Sequence, residues 1–208
     1  MKRLSFLLGL PLALVSCSAG TSATSVTASP TAAPTTAAPS PTTTAEKPVA
    51  AENNPPGDIP DNIAFITYAN PAGKFSFTHP EGWAETTRGT TVTFTDKLNG
   101  VHGERGSRTS APTVESARAE AVPALRRTEA AFELRAVNAV TEPAGSGVRI
   151  VYRRNSSPDP VTGRQYRDEV ERYELVSHGR EVVIELYGPV GADNVDAYKT
   201  MITSLKLT

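Results

Sequence analysis

The sequence predicts a protein of the α+β class, with an antiparallel β-sheet of about six strands and helices packed on it. Apolar residues alternate with polar ones along six short segments, which is the pattern of strands with one buried face. Two other segments place apolar residues three or four positions apart, as amphipathic helices do. The order along the chain is two strands, a helix, four strands and a helix, which is typical of α+β folds.

The first 16 residues have the organisation of a signal peptide. Lys2 and Arg3 precede an uncharged apolar run from Leu4 to Val15, which is too short to span a bilayer as a stable helix. The run leads directly to Cys17, the one cysteine of the chain. We therefore predict a signal peptide over residues 1–16.

The residues that end at this cysteine, LALVSC, resemble the lipobox of bacterial lipoproteins. The resemblance implies a diacylglycerol on the Cys17 thiol, cleavage before this residue and, usually, acylation of the new amino terminus. Two or three acyl chains hold a protein firmly on a membrane, whereas one chain binds only marginally. We expect lipid anchoring on the extracytoplasmic face of a bacterial cell membrane; the alternative is a secreted protein with an unmodified cysteine.

Residues 17–57 are built almost wholly from Ser, Ala, Thr and Pro. They carry no charge before Glu46, and no Leu, Ile or Phe follows the signal until Ile59, so they cannot bury enough apolar surface to offset the entropy of ordering. We predict a disordered linker here and a single folded domain over residues 58–208. Without Lys2 and Arg3 the mature chain has 19 basic and 22 acidic residues, a formal charge of −3 that does not suggest a nucleic-acid partner.

Two strands and a loop are predicted at the start of the domain. The segments around Phe75–Phe77 and Val92–Phe94 alternate apolar and polar residues, and we expect them to pair with each other. Residues 99–112 contain three glycines and no apolar periodicity, which predicts an exposed loop.

The first helix is predicted to begin after Thr113, a suitable N-cap. Pro123 interrupts the pattern, so the helix is either kinked there or restarted with this proline in its first turn. The apolar face comprises Val114, Ala117, Ala121 and Leu125.

Two hairpins and a second helix complete the predicted domain. Residues 132–140 and 147–154 form the first hairpin, and residues 164–188 form the second, with a tight turn at His178-Gly179. The first half of the second hairpin also fits a helical stripe. The closing helix begins near Asp193 or Asn194 and lines one face with Val195, Tyr198, Ile202 and Leu205.

Three stretches together resemble the start, central hairpin and end of PsbP-type domains: KFSFTHPEGW, YRDEVERYELVSHGREVVIELYG and VDAYKTMITSLKL. The resemblance covers most of residues 65–208. It implies the α/β/α sandwich of the PsbP and Ran-binding Mog-type superfamily, in which an antiparallel sheet lies between helices. It also implies a role in binding a larger partner.

No catalytic, metal or cofactor motif stands out. His79, His102 and His178 each lie beside Pro or Gly in predicted turns or loops and are expected to be exposed, and the chain has no HxH, HxxxH or CxxC. His79 and Glu81 could approach a metal if His102 folded over them, but we predict no metal site. Trp83 is expected to close one end of the core. Gly145-Ser146-Gly147 is better explained as a hairpin loop than as a nucleophile turn.

The charged second hairpin is the remaining candidate surface. Most of its charges are expected to form cross-strand ion pairs on a solvated face. A possible partner-binding basic patch comprises Arg153, Arg154, Arg164 and Arg167. We therefore expect a non-enzymatic envelope lipoprotein that has no cofactor and binds an envelope protein or wall polymer. The alternative is a carrier lipoprotein for a small molecule or metal.

Overall fold

The computed structural model describes residues 46–53 and 56–208, which belong to the unit spanning residues 43–208. The predicted signal peptide, Cys17 and most of the predicted linker lie outside the described residues. Within the described part of the chain, no helix is both long enough and apolar enough to cross a membrane.

The described chain forms ten strands and three helices, and every strand pair is antiparallel. The elements in chain order are β1 (Phe65–Asn70), β2 (Phe75–Pro80), β3 (Ala84–Arg88), β4 (Thr91–Asp96), β5 (Asn99–Arg105), α1 (Val114–Ala119), α2 (Ala121–Thr128), β6 (Glu133–Glu142), β7 (Gly145–Asn155), β8 (Arg167–Ser177), β9 (Arg180–Pro189), α3 (Val195–Ser204) and β10 (Lys206–Leu207). The α+β class predicted from the sequence is confirmed.

The strands form two sheets. The larger has seven strands in the order β3-β4-β5-β9-β8-β7-β6, and the smaller has three in the order β1-β2-β10. One core lies between the large sheet and the layer formed by the small sheet and α3, and it includes Phe77, Phe94, Ile184 and Met201. The second core lies on the opposite face of the large sheet, where α1 and α2 cover β6 and β7.

The predicted pairing of the Phe75–Phe77 and Val92–Phe94 segments is wrong. The first is β2, which pairs with β1 and β10, and the second is β4, which pairs with β3 and β5. The intervening β3 occupies the edge of β4 that β2 would need. The two segments still meet through side chains, since the rings of Phe77 and Phe94 pack edge to face with centroids 6.0 Å apart.

The prediction of a loop over residues 99–112 is wrong for its first half, because Asn99–Arg105 form β5 inside the large sheet. The glycines that suggested a loop instead make room for aromatic rings. A Cβ on Gly100 would lie 2.1 Å from Cζ of Tyr187, and one on Gly103 would lie 3.2 Å from Cε2 of Phe75. Glycine in a strand often marks such a close approach.

The helices begin close to their predicted positions. Ser116 donates its backbone N–H to the Thr113 hydroxyl at 3.2 Å, and the Ser116 hydroxyl accepts the Thr113 backbone N–H, completing a capping box. The helix restarts at Ala121 and places Pro123 in the first turn of α2, which was one of the two predicted alternatives. In α3 the prediction for Val195 is wrong, because its side chain is 72% exposed.

Residues 46–53, in the predicted linker, lie against the end of β7. The side-chain oxygen of Asn155 accepts the Val49 backbone N–H at 3.0 Å, and its amide group donates to the Glu46 carboxylate and the Lys47 carbonyl. Further along, Ile59 is buried in the core between the sheets. The contacts of this domain therefore begin before residue 58.

Candidate acidic cleft

A cleft of about 730 Å³ opens between α2 and strands β5, β9 and β8. It exists because α1 and α2 place their apolar faces over β6 and β7, where Ile150 and Tyr152 are fully buried. The neighbouring strands on the same face of the large sheet are only partly covered. The helices thus form one wall of the cleft and the sheet forms its floor.

Carboxylates dominate this lining, which we call the acidic cleft. Six glutamates and two arginines line it, and Arg154 pairs with one of the six from outside the lining, so three negative charges remain unbalanced. The glutamates are Glu104, Glu120, Glu129, Glu174, Glu181 and Glu185. A concentration of one charge in a concave site raises the local concentration of ligands of opposite charge.

Arg172 holds two of these glutamates in place on the floor. Its guanidinium donates to the Glu174 carboxylate at 2.8 Å and to the Glu185 carboxylate at 2.7 Å. Both glutamates are more than nine-tenths buried. Burial pushes the pKa of the Glu185 carboxyl upward, but the charge and hydrogen bond of Arg172, together with the charge of Arg154, outweigh burial and hold this pKa below its ordinary value.

Arg108 connects the floor to the helical wall. It donates to Glu120 at 2.7 Å, and the Glu181 carboxylate accepts the Arg108 backbone N–H at 2.8 Å. Gly106 permits this close approach, since a Cβ there would lie 2.1 Å from Oε2 of Glu181. Of the six glutamates, Glu104 forms no ion pair with any described residue.

The four arginines of the predicted basic patch are each paired with a carboxylate. Arg153 donates to Glu169 and Arg154 to Glu129, while Arg164 pairs with Glu52 and Arg167 with Glu133. Because neighbouring residues of a strand point to opposite faces, Arg153 and Arg154 lie on different sides of the sheet. The structure therefore does not bring the four together as one free cationic surface.

The expectation of three exposed histidines holds only for His178, which occupies the two-residue turn between β8 and β9 with φ of 50°. His79 is 5% exposed and stacks on Phe94, and burial lowers the pKa of its imidazole. His102 lies in β5 at the acidic cleft and hydrogen-bonds Thr93 at 2.9 Å. Trp83 is buried in the core, as predicted.

Of the glutamates of the cleft, the sequence drew attention only to those of the second hairpin, and only as part of a solvated, ion-paired face. The alternation of β8 and β9 does place Arg172 and Glu174 on one face, together with Glu181 and Glu185. The local sequence could not indicate that α1 and α2 pack over this face. No group of three or more His, Cys, Asp or Glu residues in the described ranges is arranged to hold a metal ion.

Comparison with solved structures finds distant likenesses. PsbP (CyanoP) from Synechocystis is 16% identical with a TM-score of 0.47, over 70% of this chain and 94% of that protein. The Ran-binding protein Mog1p from Saccharomyces cerevisiae is 8% identical with a TM-score of 0.46, over 70% of this chain and 96% of that protein. A Bacteroides thetaiotaomicron protein is 11% identical with a TM-score of 0.38, over 68% of this chain.

This chain spans about half of the Bacteroides protein, 48% of its length. The other two neighbours are of the kinds that the sequence resemblance named. No protein-family profile matches the chain, and no curated protein matches it. Likenesses this distant do not indicate a function.

Proposed function

We propose that the protein is a non-enzymatic lipoprotein, anchored through Cys17 on the extracytoplasmic face of a bacterial cell membrane, whose domain binds a membrane- or wall-associated partner. The acidic cleft is the observation that supports partner binding. A carrier of a small apolar molecule needs a concave site lined mostly by apolar groups with a few polar ones. Half of the 16 residues that line the cleft are instead charged, six glutamates and two arginines.

The chemistry of the cleft favours a basic protein segment as the partner over an anionic wall polymer. The four arginines that could have attracted a polyanion are already paired with carboxylates. The cleft carries an excess of negative charge, and Glu104 has no cationic partner among the described residues. Electrostatic complementarity of this kind speeds association and suppresses wrong partners.

Crosslinking in intact cells, followed by affinity capture of the full chain, tests partner binding. A recurrent envelope protein is expected with the wild type and lost with Glu104→Gln/Glu120→Gln, which removes two charges from the cleft. The matched control is Glu81→Gln/Glu85→Gln, which removes two exposed charges that do not line the cleft. Equal capture by both double variants would contradict the role of the cleft.

The anchor is tested separately by Cys17→Ser. We expect this variant to leave the membrane fraction and to appear in the medium, or to remain as an unprocessed precursor, because it lacks the thiol to which the lipid attaches. Cell fractionation and intact mass measurement distinguish the two outcomes. Unchanged partitioning into detergent would show that Cys17 does not anchor the protein.

A further inference from the structure

A second pocket, of about 540 Å³, continues from the acidic cleft around the end of α2. The two share Thr128 and Glu129 in their linings. Its other walls come from the ends of β7 and β8 and from the connection between these strands, with Glu46 at one side. We call it the Asp168 pocket, after the most buried carboxylate that lines it.

Asp168 is an ionisable group without a hydrogen-bond donor. The residue is 3% exposed and lines the pocket, yet its carboxylate accepts no hydrogen bond from any residue that the structure describes. The nearest cation is Arg154, whose Nε lies 3.9 Å from Oδ2, too far for a hydrogen bond. Arg154 instead donates to Glu129 at 2.8 Å.

The other carboxylates of the pocket are occupied. Glu46 accepts hydrogen bonds from Asn155 and Gln165. Asp159 accepts from the backbone and hydroxyl of Thr162. Among the described residues, Asp168 is thus the pocket carboxylate without a hydrogen-bond donor, and its oxygens, which are open to the pocket, are free to accept one from a ligand.

Over the whole lining of the pocket the charges are also one cation short. Glu46, Glu129, Asp159 and Asp168 carry four negative charges, and Lys97, Arg154 and Arg164 carry three positive ones. Arg167, the other guanidinium near Asp168, is held by Glu133 at 3.0 Å. Burial, opposed by the charges of Arg154 and Arg167, raises the pKa of Asp168 to about 6, so the group is still ionised at neutral pH.

We propose that the Asp168 pocket binds a primary ammonium group, the side chain of a lysine in the basic segment that occupies the acidic cleft. This inference rests on the proposed function, because the cleft delivers the segment to the pocket. Arg154 stands beside Oδ2 of Asp168, which disfavours a second guanidinium that would need both oxygens. An ammonium group is compact and can donate to the remaining oxygen.

The probe is tetralysine with blocked termini, titrated into the full chain in detergent at physiological ionic strength and followed by calorimetry. Acetylating the four side chains of the probe is expected to weaken binding by about tenfold or more, since hydrogen bonds to charged groups are the strong ones. Asp168→Asn is expected to weaken binding of unmodified tetralysine to a similar extent. Asp196→Asn, an exposed residue of α3 on the other side of the large sheet, makes the same change in charge and should leave binding unchanged.

Three results would overturn the inference: Asp168→Asn binds tetralysine as tightly as the wild type, the acetylated probe binds as tightly as tetralysine, or neither probe binds the wild type. Binding of an N-acetylglucosamine oligomer that depends on Asp168, with no binding of tetralysine, would identify a sugar site instead. Thermal unfolding of each variant shows that it is folded before titration.

The two proposals fail in different ways. Capture of a partner in cells that Asp168→Asn does not weaken would leave the proposed function standing and reject the ammonium site. Asp168-dependent binding of tetralysine without any captured partner would support the ammonium site and reject partner binding by the acidic cleft.

Discussion

Replacing Arg172 with leucine is expected to lower the free energy of unfolding by about 3–5 kcal/mol at neutral pH. The guanidinium is the donor to both Glu174 and Glu185 on the floor of the acidic cleft, and these residues are 3% and 8% exposed. Without Arg172 the two negative charges stay in a largely dry environment with no equivalent cation. Removing one member of a buried ion pair is costly for this reason, even where the whole pair contributes little.

The loss should depend on pH. In the wild type the pKa of Glu185 is held below its ordinary value of 4.5, so its ion pair stabilises the fold above that pH and is lost as pH falls through the folded pKa. In the variant the charge and hydrogen bond of Arg172 no longer oppose burial, so the pKa of this carboxyl rises and the fold becomes less stable as pH increases through it. The difference between wild type and variant should therefore be largest near pH 7 and shrink towards pH 4.

Urea unfolding, followed by the fluorescence of the single, buried Trp83, measures this difference. The matched control is Arg153→Leu, which breaks a partly exposed pair with Glu169 and is expected to cost less than about 1 kcal/mol. Adding Glu185→Gln to Arg172→Leu should restore part of the stability. Equal losses for the two arginine variants would mean that the floor of the cleft is as well solvated as the outer surface.

Features that depend on residues close together in the sequence could be predicted. Alternation over 132–140 and 147–154 predicted β6 and β7, because each strand has one buried face and a short turn joins them. The N-cap at Thr113 and the restart around Pro123 were also predictable, since both depend on backbone hydrogen bonds within one turn of helix.

Features that depend on distant parts of the chain were missed. Gly100 and Gly103 suggested a loop, but they face Tyr187 and Phe75, which are far away in sequence. The polar strand β3 has five exposed residues and no apolar alternation, so nothing in it signalled that it would take the edge of β4. The charges of β8 were expected to be solvated, but the packing of α2 over one face of this strand encloses Arg172 and Glu174.

In contrast to the loss expected for Arg172→Leu, Asp168→Asn should raise the free energy of unfolding at pH 7, by up to about 3 kcal/mol. Burial raises the pKa of Asp168 from 3.8 to about 6, against the charges of Arg154 and Arg167. Each pKa unit corresponds to about 1.4 kcal/mol. The rise in pKa therefore means that the ionised carboxylate destabilises the fold by up to about 3 kcal/mol relative to its protonated form. Asparagine has nearly the same shape and cannot ionise.

The sign of the pH dependence follows from the direction of the shift. Because the folded pKa is higher than the unfolded one, the folded state binds more protons between pH 3.8 and about 6. The contribution of Asp168 to stability is therefore fully present below pH 3.8 and is lost as pH rises through about 6. The advantage of the asparagine variant should be near zero at pH 4 and should reach its full value at pH 7.

The charged groups that face Asp168 determine whether this expectation holds. They are Arg154 from β7, Arg167 from β8 itself, Glu129 after α2 and Lys97 between β4 and β5, which lines the same pocket. Urea unfolding of the wild type, Asp168→Asn and the exposed control Asp196→Asn at pH 4 and pH 7 gives the change in stability for each variant at each pH. A less stable Asp168→Asn variant at pH 7 would mean that the two guanidinium groups more than offset burial, and that the carboxylate needs no further cation.

A gain in stability would bear directly on the ammonium site. An ionised group that weakens the fold at neutral pH, and is enclosed in a pocket without a donor, gains its missing interaction when a ligand supplies one. The same substitution is then expected to stabilise the free chain and to abolish the stabilisation that tetralysine gives to the wild type. If tetralysine instead raised the urea midpoint of Asp168→Asn as much as that of the wild type, the carboxylate would destabilise the fold without serving as the ammonium acceptor.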